Sequence, residues 1–177
     1  STSPAVAAAQ RLGIPVLTLN PKPAAGAFTI SGDAVAAPSV QGYAEGGDVA
    51  LVLHTSGTTS RPKIVPLTHG NLLASASNIR NTLQLTEADR CLNIMPLFHI
   101  HGLMAAILAT LTAGGSVFAT PGFNALKFFG LLEEAHPTWY TAVPTMHQAI
   151  LARAERNGEI IKANPLRFIR SSSASLP

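Results

Sequence analysis

From residue 48 onward the sequence alternates short β-type runs with longer runs of helical period, and this alternation leaves few folds open. "VALVLH" and "KIVPL" read as strands that can pair as an antiparallel hairpin around a polar loop, with Pro66 placing the second at an edge. "HGNLLASASNIRNTLQ" then reads as a helix behind Thr68, whose hydroxyl suits an N-cap. "RCLNIMP", "SVFAT", "TWYTAV" and "LRFIRSS" are further strands; "HGLMAAILATLTAGG", "NALKFFGLLEEA" and "PTMHQAILARAERN" are the helices between them. Pro144 falls in the first turn of the last helix, where a missing N–H is tolerated. Strand and helix in regular succession predict an α/β fold, a mostly parallel sheet with helices on both faces. Right-handed crossovers then bring loops 98–101, 143–145 and 171–175 to the carboxyl edge of the sheet, together with loop 55–63. Open α/β sheets bind their ligands at that edge.

The segment ahead of this region is less regular. A helix is expected over 4–12 and a strand over 14–19, and residues 20–47, rich in Pro, Gly and Ala, read as an extended connector. The predicted organisation is a partial N-terminal segment over 1–47 and an α/β subdomain over 48–177. Charged residues are only 12% of the chain and hydrophobic ones 47%, which calls for a core-rich piece or a membrane protein. Residues 100–126 hold no Asp, Glu, Lys or Arg. Gly114, Gly115 and Pro121 break that stretch, and its unbroken apolar part is about half of the roughly 20 residues a spanning helix needs. A buried helix followed by a buried strand is the better reading, and no membrane span is expected. The net charge of +3 is scattered, with no Lys/Arg run interleaved with aromatics, so nucleic acid is not an expected partner. The lone Cys91 reads as a small buried residue.

Between the first two strands stand Thr55, Ser56, Gly57, Thr58, Thr59, Ser60, Arg61, Pro62 and Lys63 in an unbroken row. Hydroxyls, turn N–H groups and a lysine point charge suit the many acceptor oxygens of a phosphate chain. The spacing departs from the P-loop of NTPases: Pro62 stands where the glycine before the lysine belongs, and no Ser or Thr follows Lys63. Composition alone leaves phosphate binding level with a flexible surface loop.

The wording of the loop adds to this. "TSGTTSRPK" resembles the phosphate-binding signature of adenylate-forming enzymes, the superfamily of acyl-CoA synthetases, luciferases and peptide-synthetase adenylation domains. "MPLFHIHGL", "YTAVPTMHQAIL" and "RFIRSSSASLP" resemble the next family segments in the same order, so the resemblance covers roughly residues 48–177 and implies AMP binding for that subdomain. Within the superfamily the text is most similar to oxalate–CoA ligases. The resemblance implies that Thr55, Ser56, Gly57, Thr58, Thr59 and Lys63 hold the β- and γ-phosphates of ATP. It also implies Mg2+, coenzyme A and a small carboxylic acid. The carboxylate attacks the α-phosphorus, pyrophosphate leaves, and the thiol of coenzyme A takes the acyl group. His99 is implied in the pocket for the acyl group and the CoA arm. With His101, Ser173, Ser175 and Arg170 it offers the donors and positive charge that the second carboxylate of a small diacid needs.

The family's adenine-binding motif and C-terminal domain are not found in these residues. The expectation is therefore a fragment of the large N-terminal domain, silent alone, with the remainder of the same polypeptide as its partner and a cytoplasmic location, or a peroxisomal one in a eukaryote. Two other readings stay open: a stand-alone nucleotide- or phosphate-binding module without catalysis, and a metal-dependent hydrolase using His99 and His101. An HxH on a strand shares one face, but no Asp, Glu or Cys stands close by, so no metal site is assigned. His54, His69, His136 and His147 read as structural, and Trp139 and Tyr140 as core.

Overall fold

The computed structural model describes residues 4–24, 26–34, 42–55 and 63–176, divided into two compact units, 1–43 and 44–177. The first unit holds α1 (Pro4–Arg11) and an antiparallel hairpin of β1 (Leu17–Pro21) and β2 (Phe28–Gly32). The connector expected over 20–47 thus contains a strand. Its signal is short: Phe28 and Ile30 alternate with Thr29 and Ser31 between Gly26 and Gly32.

The second unit opens with β3 (Val49–Thr55) and β4 (Lys63–Thr68), antiparallel as expected, with Thr55 directly opposite Lys63. The first and last residues of the polar row are thus paired across the two strands, and residues 56–62 between them lie outside the described residues. β4 runs straight into α2 (His69–Leu83). Thr68 Oγ1 accepts the Asn71 N–H at 3.2 Å and Asn71 Oδ1 accepts the Thr68 N–H at 3.1 Å. This reciprocal cap satisfies two donors that the first turn would leave open.

Four strands follow, β5 (Arg90–Asn93), β6 (Ser116–Ala119), β7 (Trp139–Ala142) and β8 (Phe168–Ser171). They form one parallel sheet in the order β6–β5–β7–β8. Neighbouring residues on a strand face opposite ways, and the core divides accordingly. Cys91 and Trp139 pack with Leu85, Ala106 and Ala109 on one face. Leu92 and Tyr140 pack with Phe128, Leu132 and Ile150 on the other. The first face is covered by α2, a π-helix (His101–Leu108) and its continuation α3 (Ala109–Thr112); the second by α4 (Phe128–Ala135), α5 (Pro144–Leu151) and α6 (Gly158–Ala163). The helix expected over 144–157 is α-helical only to Leu151; a short 3-10 turn, Glu155–Asn157, closes the span and α6 begins beyond it. Asn157 turns its side-chain amide back onto the Arg153 carbonyl at 2.8 Å, a local bond that competes with the helical ladder.

At the amino edge of the sheet Asp89, only 3% exposed, accepts from Thr86 N–H (2.8 Å), Thr138 Oγ1 (2.8 Å), Arg167 Nε (3.0 Å) and Arg167 NH2 (2.8 Å). One carboxylate thereby ties the entrances of β5, β7 and β8. Burial pushes its pKa up, but the bonds from Thr86, Thr138 and Arg167 outweigh that and hold it below the ordinary value of 3.8.

Candidate anion site at the carboxyl edge

The strand order creates a crevice. The chain leaving β5 crosses to β6 by helices on one face, whereas the chain leaving β7 crosses to β8 by helices on the other. The carboxyl ends of β5 and β7 lie side by side while their connections part, which is where such sheets bind ligands.

His101 enters this crevice as the first residue of the π-helix. Gly102 lets it do so: a Cβ there would stand 2.5 Å from the Pro96 carbonyl oxygen, so only glycine lets the helix settle on the loop after β5. Thr141 on β7 and Arg170 on β8 are register partners, which sets their side chains together on the face that His101 occupies. His101 Nε2 lies 2.7 Å from Thr141 Oγ1 and 3.2 Å from Arg170 NH1. Arg170 NH1 also donates to Thr141 Oγ1 at 3.1 Å, and NH2 to Ser172 Oγ at 3.2 Å. His101 Nδ1 lies 3.1 Å from Ser173 Oγ. Ser173 holds φ at +74°, a left-handed conformation that a non-glycine residue adopts only under constraint.

The electrostatics follow from burial. His101 is 4% exposed, and desolvation, with the charges of Arg170, His99 and His147 adding to it, lowers its pKa to about 4. Its imidazole is neutral at physiological pH. Burial also lowers the pKa of Arg170, and among the described residues Arg170 pairs with no carboxylate. Behind it, His147 Nε2 donates to the Arg170 carbonyl oxygen and His147 Nδ1 meets the Tyr140 hydroxyl, both at 3.2 Å. Burial pushes the Tyr140 pKa up to about 12, so its O–H stays protonated.

Of the residues singled out in the sequence, His101, Arg170 and Ser173 come together. His99 stands at the rim, its ring exposed and its Nδ1 accepting the His101 backbone N–H at 3.1 Å. Ser175 is exposed and makes no hydrogen bond to the cluster among the described residues. Ser56, Gly57, Thr58 and Thr59 lie outside the described residues, as does the side chain of Thr55, and Lys63 is exposed at the start of β4. Trp139 and Tyr140 are core, at 0% and 3% exposure. Sequence reasoning missed Thr141 at the centre of the cluster and gave His147 a structural role. The available signal was period two: Thr141 shares a face with Trp139 and sits two strand positions nearer the carboxyl edge.

The arrangement suits an anion. Both ring nitrogens of His101 are engaged by protein groups, and a guanidinium stands where a cation would approach Nε2. Among the described residues no three His, Cys, Asp or Glu side chains gather as metal ligands, and none of their helices is long and apolar enough to cross a membrane.

An open parallel sheet with helices on both faces and a crevice at its switch point defines a doubly wound α/β domain. The chain belongs to the AMP-binding enzyme family, whose model matches residues 4–177. It is 52% identical over 131 residues to an oxalate–CoA ligase of Arabidopsis thaliana, covering 73% of this chain and 25% of that protein. It is 44% identical over 138 residues to an oxalate–CoA ligase of Saccharomyces cerevisiae, covering 76% of this chain and 24% of that one. Among solved structures it resembles a malonyl-CoA ligase in a ternary product complex with methylmalonyl-CoA and AMP, with a TM-score of 0.70 and 34% identity, over 78% of this chain and 30% of that chain. The chain thus spans about a quarter of the length of the curated relatives it matches.

Proposed function

We propose that the chain is part of the large N-terminal domain of an AMP-forming acid–CoA ligase, and that its carboxyl-edge crevice takes a small dicarboxylic acid such as oxalate. The observation that carries the reading is the His101–Arg170–Thr141–Ser173 cluster. It is a half-buried guanidinium without a carboxylate partner among the described residues, set among neutral donors at the switch point. A diacid leaves one carboxylate to react and one to be held. The cluster offers the second one a fixed positive field and hydroxyl donors that need no reorganisation. The similarity to two oxalate–CoA ligases supports the same substrate class.

In this reading the hairpin loop from Thr55 through Ser56, Gly57, Thr58 and Thr59 to Lys63 holds the β- and γ-phosphates of ATP. The pairing of Thr55 with Lys63 supports it by bringing the two ends of the loop together. The free carboxylate attacks the α-phosphorus, breaking its bond to the leaving pyrophosphate, whose charge Lys63 helps neutralise. The thiolate of coenzyme A then attacks the acyl carbon and AMP leaves. The contribution of these residues is positioning and charge stabilisation. Mg2+ seeks hard oxygen ligands; among the described residues no carboxylate stands in the cluster, so the residues present do not fit it.

Pyrophosphate exchange by the intact polypeptide, run on a panel of acids, tests the reading. Oxalate or another short diacid should exceed acetate and long-chain acids by at least about tenfold, and His101→Gln or Ser173→Ala should erase that preference. A panel led by monocarboxylates, with the preference unchanged in both variants, would sink it.

A further inference from the structure

Arg170 meets His101 with a group that can only donate. A guanidinium has five N–H donors and no acceptor, so NH1 at 3.2 Å requires a bare lone pair on Nε2. A proton on that nitrogen would set two donors face to face. Thr141 reinforces the demand. Its hydroxyl oxygen accepts from Arg170 NH1 at 3.1 Å and therefore turns its own hydrogen to Nε2, 2.7 Å away. Both neighbours of Nε2 donate, so the imidazole proton belongs on Nδ1, where Ser173 Oγ accepts it at 3.1 Å. An oxygen accepting from the ring points its hydrogen elsewhere, and Ser173 is the exposed member of the cluster.

We infer that Arg170 and Thr141 are positioning residues that lock His101 in its neutral Nδ1–H form, and that the lock turns Ser173 into a hydroxyl donor facing the crevice, suited to a carboxylate oxygen. The identity of the anion rests on the function proposed above; the tautomer does not. The charged and titratable groups that bear on the ring are Arg170, His99 and His147, with no carboxylate among the described residues in the cluster, so every neighbour opposes an imidazolium. The strained φ of Ser173 fits the same picture, since it is the conformation that brings Oγ within reach of Nδ1. Arg170 thereby does a different job from the one its charge first implies. Its NH1 end is committed to the histidine, and the discrimination it confers is exerted through the serine.

The test is a long-range 1H–15N spectrum of the intact polypeptide labelled at histidine, with the His101 signals assigned by their loss in His101→Gln. The expected result is a protonated Nδ1 and a bare Nε2 that do not titrate between about pH 5 and 8. Arg170→Met should release the lock: the two nitrogens average toward a mixture of tautomers, and His101 begins to titrate in that range. With the diacid as substrate the same variant should raise KM about tenfold, the loss of one oriented hydrogen bond, while kcat moves less. Thr141→Val should keep the Nδ1–H form, because Arg170 still requires the lone pair. A proton on Nε2 in the unaltered protein overturns the inference, as does an Arg170→Met spectrum identical to it. If Arg170→Met does not fold, the unaltered protein still decides the first point. The spectrum needs no substrate, so a correct tautomer with no diacid turned over would overturn the proposed function and leave this inference standing.

Discussion

The two edges of the four-stranded sheet each use an arginine from the same short stretch, Arg167 and Arg170, and use them in opposite ways. At the amino edge Arg167 is neutralised by Asp89 at 2.8 Å, and the carboxylate has further donors in Thr86 and Thr138. At the carboxyl edge Arg170 faces a neutral histidine and two hydroxyls, with no carboxylate partner among the described residues. A charge buried with its counter-charge holds strands together. A half-buried charge without one among the described residues is a cost to the fold, and that cost motivates the binding role proposed for this edge. Three positions along the chain separate a structural clamp at the mouth of β8 from the binding site proposed at its far end.

The sharpest way to break this contrast is Asp89→Ala. Removing an acid that ties three strand entrances, and leaving Arg167 unpaired, should cost about 3 kcal/mol, the lower end for a buried pair because the Arg167 side chain is 40% exposed. Urea unfolding of the intact polypeptide measures it. An unchanged midpoint would remove the distinction between the edges.

A second test separates the edges by pH. His101 has a folded pKa of about 4 against an ordinary 6.5, so between those values the unfolded chain binds the more protons. Stability is full above 6.5 and is lost as the pH falls toward 4, by up to about 3 kcal/mol. Asp89 titrates below its ordinary 3.8, so its contribution is lost at still lower pH. Unfolding midpoints followed from pH 8 to 3 should weaken first at the carboxyl edge. His101→Gln should flatten the upper limb alone, and a slope unaltered in that variant would mean the imidazole is not held neutral.

The smallest expected effect sharpens the idea that the binding edge carries strain. Ser173→Gly should stabilise the protein by a few tenths to about 1 kcal/mol by relieving the left-handed backbone, while diacid binding weakens with the lost hydroxyl. A destabilised glycine variant would mean that the Ser173 bond to His101 outweighs its strain.

The strand and helix succession from residue 48 was legible because burial on two faces imposes period two on strands and a longer period on helices. The hairpin around the polar loop and the cap at Thr68 were legible from residue types at fixed offsets. β2 was hidden by its brevity, and the break before Gly158 by a side chain that bonds to the backbone. Within the site, His101, Arg170 and Ser173 were visible as chemistry, but their meeting was not. It depends on Thr141 lying beside Arg170 across a parallel register, and registers between strands about thirty residues apart leave no local mark. Thr141 reads in isolation as an ordinary strand residue.

The π-helix has a consequence of its own. Between His101 and Leu108 the backbone closes wider rings than an α-helix, as in the bond from the Ala109 N–H to the Met104 carbonyl, and so holds an extra residue within a span anchored at both ends. Wound at α pitch with no residue lost, at about 100° per residue, the same span would turn roughly a third of a turn further and swing His101 away from Thr141 and Arg170 without altering a single side chain of the cluster. The aim of the histidine is thus encoded in the wide winding of the helix behind it as well as in the residues of the crevice.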